Sequence, residues 1–398
     1  MTAAASTKIN VVDLFAGCGG FTQGFHSYVP TPGERSPFRS IAAVEFDTAA
    51  AATYAVNFAA DSNSDCKVFA DDIKKWDPSP YRGEVDVILG GPPCQGFSGL
   101  GEENPLDPRN KLWREYVKVV SVIQPKIFVI ENVDRFFRSA EYAALLRSNK
   151  KGLLRNYNLT EQRVLNAADY GVPQARRRAI VIATRKDLPR LDHPSPTHEK
   201  KGSQTGLFDP SDRLPWETVE DIFKKTATEP PTTELPERWI EISGRLFPGI
   251  FRTHELHVGR NPTELSLARY REIGPGENRN SLRGKTAFID GEFVQLSTAS
   301  WDRHTSGSGD VMGRLRTNSP AVTIRTEFFK PEKGRYLHPT ADRPITHYEA
   351  ALLQGFPEEF KWCGTKVQIA RQIGNAVPVG LSRALARHIH NYLASASR

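Results

Sequence analysis

From Ile9 onward, short apolar runs alternate with longer amphipathic stretches: "INVVDLF", "IAAVEF", "VFADDI", "VDVILGG" and "KIFVIENV". This alternation restricts the fold more than any other feature. A strand that is apolar at nearly every residue must bury both faces, and a parallel sheet with helices on either side does so. The chain is therefore expected to be α/β, with a Rossmann-like sheet covered by helices on both faces. Leu112, Tyr116, Val119, Val120 and Ile123 recur at helical spacing, which predicts a covering helix over 112–123. Farther on, "QRVLN" and "RAIVIATR" predict a strand pair joined through "AADYGVPQARR".

The alternation stops near Leu188, where "LPRLDHPSPTHEKKGSQTG" is rich in Pro, Ser and charge and reads as a linker or long loop. From there to about Leu337 the pattern is irregular. Regularity returns in "ITHYEAALLQGFP", where Thr346 or His347 can cap a helix whose apolar face is Ala350, Leu353 and Phe356. In "GLSRALARHIHNYLAS", Leu381, Leu385, Ile389 and Leu393 fall at every fourth position, an amphipathic helix. The 398 residues suffice for a large domain plus a smaller one. The expected division is 1–187 for the first part of the large domain, 188–355 for the smaller irregular domain, and 356–398 for a return to the first. Ser27–Ser40 is expected to be a surface loop.

Charge and cysteine usage narrow the setting. The 53 Lys and Arg exceed the 46 Asp and Glu, a net charge of +7 that suits a polyanionic partner without requiring one. Cys18, Cys66, Cys94 and Cys363 are widely spaced, with no CxxC pair and no signal-like start. Reduced thiols in a cytosol-like compartment are expected, rather than a disulfide framework or a zinc ribbon. No apolar run approaches the roughly 18 residues that span a bilayer, so no membrane association is expected. His193 and His198 in "HPSPTH" read as parts of a flexible loop, and no metal site is expected.

"VVDLFAGCGGF" runs a strand into a glycine turn. Gly17, Gly19 and Gly20 permit positive φ and close backbone approach, so a ligand can sit at the strand's carboxyl end. The third glycine of a dinucleotide fingerprint would fall at Thr22, so the turn is of another kind. Glu45 ends the next strand, where an acid can hydrogen-bond ribose hydroxyls. Asp72 ends the one after, where a carboxylate can accept from an adenine amino group while Phe46 and Ile73 pack on the ring. Each feature alone also fits an ordinary turn or a solvated strand end; together they indicate an adenosine-containing cofactor.

A second set of residues converges on the same edge. "GGPPCQGFS" follows a strand and places Cys94 at its carboxyl end; "ENV" does the same for Glu131. "QARRR" adds Gln174, Arg176, Arg177 and Arg178, and cations beside a thiol lower its pKa below the free value of about 8.5. A lone Cys94 would read as a buried hydrophobe. In this company, on a loop stiffened by two prolines, it reads as a nucleophile.

In order, the chain carries "DLFAGCGG", "VEFD", "DDI", "GGPPCQGFS", "DPRNKL", "ENV", "QARRR", "RPITHYEAALLQGFP" and "QIGNAVP". With these motifs across nearly its whole length, it resembles DNA (cytosine-5)-methyltransferases of the bacterial restriction-modification or defence type. The resemblance implies transfer of a methyl group from S-adenosylmethionine to carbon 5 of a cytosine flipped out of a specific double-stranded sequence. Cys94 matches the nucleophile that adds to carbon 6, and Glu131 the acid that stabilises charge developing at N3. Arg176 and Arg178 match the arginines that hold the cytosine carbonyl, the catalytic acid and nearby backbone. Cofactor contacts carry over to Phe15, Gly17, Gly19, Glu45, Phe46, Asp72, Ile73, Pro92, Leu112, Asn375 and Ala376. Gln95, Ser98 and Arg177 are candidate DNA contacts. The irregular domain is implied to hold the target-recognition region, with "RYREIGPGENRNSLRGK" and "GRLRTNSP" as candidate DNA-facing loops or else solvated surface.

The resemblance further implies a bacterial cytoplasmic, nucleoid-associated enzyme that protects host DNA, with a nuclease or defence proteins as functional partners. Two other functions fit the motifs: a tRNA cytosine-5 methyltransferase, and a DNA-binding relative without activity. The length of the recognition region disfavours the first, and the intact Cys94, Glu131, Arg176 and Arg178 set disfavours the second.

Overall fold

The computed structural model describes residues 8–60, 65–93, 112–202, 213–303 and 310–396. The apolar runs become strands β1 (Ile9–Leu14), β2 (Phe38–Val44), β3 (Lys67–Phe69), β4 (Val87–Gly90) and β5 (Ile127–Val133). They are followed by β6 (Tyr157–Leu159), β7 (Arg163–Asn166), the two-residue β8 (Gln174–Ala175) and β9 (Arg177–Arg185). All but β8 form one eight-stranded sheet in the order β3-β2-β1-β4-β5-β9-β6, with β7 also on β9. β1 to β5 run parallel, while β9 runs antiparallel to β5, β6 and β7.

Successive strand residues point to opposite faces of a pleated sheet, and the core divides accordingly. Val11, Val87, Leu89, Ile127, Val129, Ile180 and Ile182 line one face, beneath Phe21 and Phe25 of α1 (Gly20–His26) and Leu381, Leu385, Ile389 and Leu393 of the helix Val379–Ala396. Val12, Leu14, Ile88, Phe128, Ile130 and Val181 line the other, beneath Tyr116, Val119, Val120 and Ile123 of α3 (Leu112–Ile123). Between these helices in the chain lies α2 (Thr48–Phe58), capped by Asp47, whose carboxylate accepts from the N–H groups of Ala49 and Ala50.

The last helix belongs intimately to this first layer. Ser382 Oγ donates to the Phe21 carbonyl at 2.5 Å, and a Cβ on Gly24 would fall 2.3 Å from the Ser382 Cβ. Residues just before it do not join the large sheet. Lys361–Cys363 pairs with Arg245–Arg252, which pairs in turn with Trp239–Ile242. Around this small sheet Trp362, Phe356, Phe360, Phe328 and Tyr336 form a core that meets Tyr54 and Phe58 of α2. The helix His347–Leu353 starts at Thr346, which exchanges capping-box hydrogen bonds with Glu349.

Two readings are corrected and a third is narrowed. Only residues up to Pro37 of the Ser27–Ser40 stretch are loop; Phe38, Arg39 and Ser40 open β2, because the Phe38 ring packs 4.7 Å from that of Phe25 in the core. Of the two alternatives for the stretch after Leu188, linker or long loop, the structure shows the long loop, tied down at several points. Leu191 is buried in the sheet core, His193 Nε2 lies 2.9 Å from the Ile180 carbonyl, and Tyr170 OH donates to the Pro194 carbonyl. In "GRLRTNSP", Arg314 is buried, and its guanidinium donates to the carbonyls of Tyr270, Ile273, His338 and Ala341. It braces the interior of this region; Arg316, Thr317 and Asn318 are the exposed residues of the loop.

Candidate active site

In the sheet order β1 sits between β2 and β4, so the chain leaves β1 towards one side and later returns on the other. The carboxyl ends at such a reversal form a natural crevice. The turn after β1 bends sharply into it, with φ of 56° at Phe15, 56° at Gly17 and 90° at Gly19. A Cβ on Gly17 would meet nothing within 4 Å, so the backbone there faces open space, whereas one on Gly19 would strike Phe58 at 2.3 Å. Gly17 and Gly19 thus have different tasks: one opens the crevice and the other lets α2 close against the turn.

Glu45 secures the turn from β2. Its Oε2 accepts from Gly17 N–H at 2.8 Å and its Oε1 from Asp47 N–H at 2.7 Å. Burial pushes the Glu45 pKa up, while the backbone donors from Asp47 and Gly17 pull it back. Asp72 caps a short turn by accepting from Lys74 N–H at 3.0 Å, Ile73 is buried in the core, and the Phe46 ring is 72% exposed. At the end of the helix Lys366–Asn375, Asn375 is exposed and Ala376 buried. That end lies against the first turn, since a Cβ on Gly20 would meet the Val377 carbonyl oxygen at 2.7 Å and the Ala376 Cβ at 3.0 Å. An open glycine turn, a half-buried acid, an uncovered aromatic ring and a second carboxylate form a cradle that fits an adenosine cofactor.

One member of this neighbourhood stands in the motif "DLFAGCGG" with no role assigned to it. Asp13, the fifth residue of β1, is 1% exposed. Thr22 Oγ1 donates to it at 2.8 Å, and Tyr54 OH lies 3.0 Å from Thr22 Oγ1. Burial pushes the Asp13 pKa up to about 7, against the Thr22 hydrogen bond and with the Glu45 charge adding to the rise.

The second half of the crevice is built where β4, β5 and β9 end. Arg178 Nε lies 2.6 Å from Glu131 Oε1, with both side chains only about a tenth exposed. A Cβ on Gly91 would lie 3.2 Å from Glu131 Oε2, so the loop leaving β4 passes directly over the carboxylate. Asn132 Nδ2 holds that loop by donating to the Pro92 carbonyl at 2.9 Å. Beneath it, Gly90 has no room for a side chain because the Tyr116 ring and the Leu14 carbonyl are within 2.9 Å of where a Cβ would be. Cys94, Gln95 and Ser98 lie outside the described residues; Cys94 directly follows Pro93, which is described.

The strip 174–178 alternates strictly. Gln174, Arg176 and Arg178 turn inward, while Ala175 and Arg177 are exposed. Arg178 alone pairs with Glu131. Arg176 is buried and donates to the carbonyls of Ile324 at 2.8 Å and Gly374 at 2.9 Å. Burial pushes its pKa down, with Arg178 adding to the effect and Glu131 opposing it. The two arginines expected to share contacts with acid and backbone divide them instead. Arg177 Nε is 4.0 Å from Asp134 Oδ2 at the surface, and Leu112 begins α3 half-buried. His193 and His198 have separate partners, and no group of three or more His, Cys, Asp or Glu among the described residues can hold a metal.

A sheet of this order covered by helices on both faces is the fold of S-adenosylmethionine-dependent methyltransferases. The family described as C-5 cytosine-specific DNA methylase matches residues 9–391, and the chain belongs to it. It is 33% identical over 389 residues to the type II methyltransferase M.XorII of Xanthomonas oryzae pv. oryzae, covering 95% of this chain and 84% of that one. It is 30% identical over 394 residues to M1.HphI of Haemophilus parahaemolyticus, covering 96% and 87%. A solved DNA modification methyltransferase from an Escherichia coli prophage has the same fold, with a TM-score of 0.67 at 23% identity, covering 97% of this chain and all of that one. The protein is thus a DNA (cytosine-5)-methyltransferase that uses S-adenosylmethionine, and double-stranded DNA is its substrate. Among the described residues no helix is long and apolar enough to cross a membrane.

Proposed function

We propose that Cys94 is the nucleophile and Glu131 the acid of this reaction, with Arg178 holding Glu131. The observation that carries this reading is the Arg178–Glu131 pair directly beneath Gly91 and Pro92, two residues before Cys94. The Cys94 thiolate adds to carbon 6 of the cytosine as Glu131 hydrogen-bonds N3, which makes carbon 5 a nucleophile. S-adenosylmethionine supplies the electrophilic methyl group. Transfer of the carbon-5 proton to water then expels the thiolate and restores the aromatic ring. Arg178 keeps the carboxyl oriented towards the base, and Arg176 fixes the backbone on which the site rests. The cofactor cradle comprises Phe15, Gly17, Gly19, Glu45, Phe46, Asp72, Ile73, Pro92, Leu112, Asn375 and Ala376.

The target base must leave the duplex to reach Cys94, at a cost of a few kcal/mol. Gln95 and Ser98 on the same loop contact the DNA at the gap, and Arg177 contacts phosphate. Residues 1–187 and 356–398 serve catalysis, while 188–355 reads the target sequence. Bacterial type II relatives support a restriction-modification setting, with a partner nuclease or defence system, in the cytoplasm at the nucleoid.

Bisulfite sequencing of DNA from cells producing the protein is expected to show methylated cytosines at one sequence; soluble protein with uniformly unmethylated DNA refutes the activity. Cys94→Ser is expected to abolish turnover with unchanged cofactor affinity, and Glu131→Gln to lower kcat by about 10²–10⁴-fold. Full activity in either variant overturns the assigned role.

A further inference from the structure

Two of the three buried glutamines among the described residues touch each other and have no role in the chemistry. Gln174 and Gln354 are both fully buried, and their amides form a relay. Gln174 Oε1 accepts from Ile324 N–H at 2.8 Å. Gln174 Nε2 donates to Gln354 Oε1 at 2.9 Å and to the Leu353 carbonyl at 3.2 Å. Gln354 Nε2 donates to the Ile373 carbonyl at 2.6 Å. Arg176 runs alongside, joining the Ile324 carbonyl to that of Gly374. Both polar groups of the Ile324 backbone are therefore tied, through side chains of the "QARRR" strip and of "QGFP", to the carbonyls just before Asn375.

The two backbones so joined are in direct contact. A Cβ on Gly374 would lie 2.4 Å from Thr326 N and 2.5 Å from the Arg325 carbonyl carbon. β8 adds a ladder, with Gln174 opposite Ala321 and Ala175 opposite Val322. Arg325, between these contacts, is exposed. A close-packed seam of this kind transmits displacement because neither backbone has space to yield alone.

We propose that Gln174 and Gln354 are positioning residues that couple the cofactor site to the DNA-reading region through the Ile324–Thr326 and Ile373–Gly374 seam. The proposal rests on the assignment of Asn375 and Ala376 to the cofactor and of 188–355 to target recognition. Fixing of the helix end at 373–376 by cofactor sets the position of 324–326, and DNA bound across 324–326 fixes that helix end in return, since coupling between two sites is reciprocal. Hydrogen-bonded side chains form a continuous path between the two segments.

The test uses the full chain, S-adenosylhomocysteine as cofactor probe, and a duplex carrying the sequence mapped by bisulfite sequencing. Kd for the duplex is measured by fluorescence anisotropy with and without saturating S-adenosylhomocysteine, and Kd for the probe alone by calorimetry. In the parent protein the probe is expected to tighten duplex binding by about fivefold or more, within the ordinary range of such couplings. In Gln354→Met, which roughly keeps the volume and removes the amide, the ratio is expected to fall below about twofold, with each ligand's separate affinity within about twofold of the parent. Gln174→Met carries the same expectation and serves if Gln354→Met does not fold. A ratio unchanged in both variants, or a parent ratio of one, overturns the proposal. Asn375→Ala separates the two readings: unchanged probe affinity in that variant removes Asn375 from the cofactor site, whatever the glutamine variants show.

Discussion

Asp13→Asn should stabilise the protein, and increasingly so as pH rises. The carboxyl is buried under the glycine turn, with Thr22 Oγ1 as its side-chain hydrogen-bond partner, and its pKa is pushed from 3.8 up to about 7. Folding therefore favours the protonated form. The unfolded chain releases this proton near pH 4 and the folded chain only near pH 7, so stability falls as pH rises across that window and stays low above it. At 1.36 kcal/mol per pH unit, the full loss is about 4 kcal/mol, a large fraction of a typical 5–15 kcal/mol total. Asparagine preserves the shape and an acceptor for Thr22 but carries no charge. The variant's advantage should be about 1.5–2 kcal/mol at pH 5 and about 4 kcal/mol at pH 8. Urea unfolding followed by tryptophan fluorescence, run on both proteins at each pH, gives this difference curve free of the other titrating groups they share. A flat curve refutes the reasoning, because an Asp13 that ionises normally in the fold leaves no pH-dependent difference. A variant that loses ground as pH rises refutes it more strongly, since the carboxylate would then be held by a cation.

Two further outcomes follow from the geometry. Gly374→Ala would drive a methyl group into the backbone of Arg325 and Thr326, so a loss of about 1–3 kcal/mol is expected in urea unfolding, with weaker S-adenosylhomocysteine binding by calorimetry. Arg177→Gln should leave kcat unchanged and lower the slope of log Kd for the duplex against log salt by about one, the signature of one lost phosphate contact.

The central strands β1, β4, β5 and β9 were legible because each buries both faces over most of its length, which leaves a nearly unbroken apolar run. Glu131 was legible for the same reason, standing where such a run ends. Arg176 was recognisable as a motif residue, but its work was not, because its partners Ile324 and Gly374 lie 148 and 198 residues away. Asp13 hides within "VVDLF" as one polar letter, and its raised titration comes from burial, which only the folded chain supplies. Arg314 misled in the opposite direction. A basic, glycine-containing stretch has the texture of a DNA-facing loop, and only the fold converges the carbonyls of Tyr270, Ile273, His338 and Ala341 on that guanidinium. Strands of two residues, such as β8 with its partner Ala321–Val322, are too short to leave any periodic trace.

The helix Val379–Ala396 covers a sheet face whose strands all precede it in the chain, β1 the earliest. Ser382 finds its partner Phe21 at a separation of 361 positions along the chain. At ribosomal speeds of about 5–20 residues per second, that separation amounts to roughly 20–70 s. For that interval Val11, Phe21, Phe25 and Val87 lack the cover that Leu381, Leu385 and Ile389 later provide. A nascent chain of this enzyme thus carries an uncovered apolar face until its last helix is made.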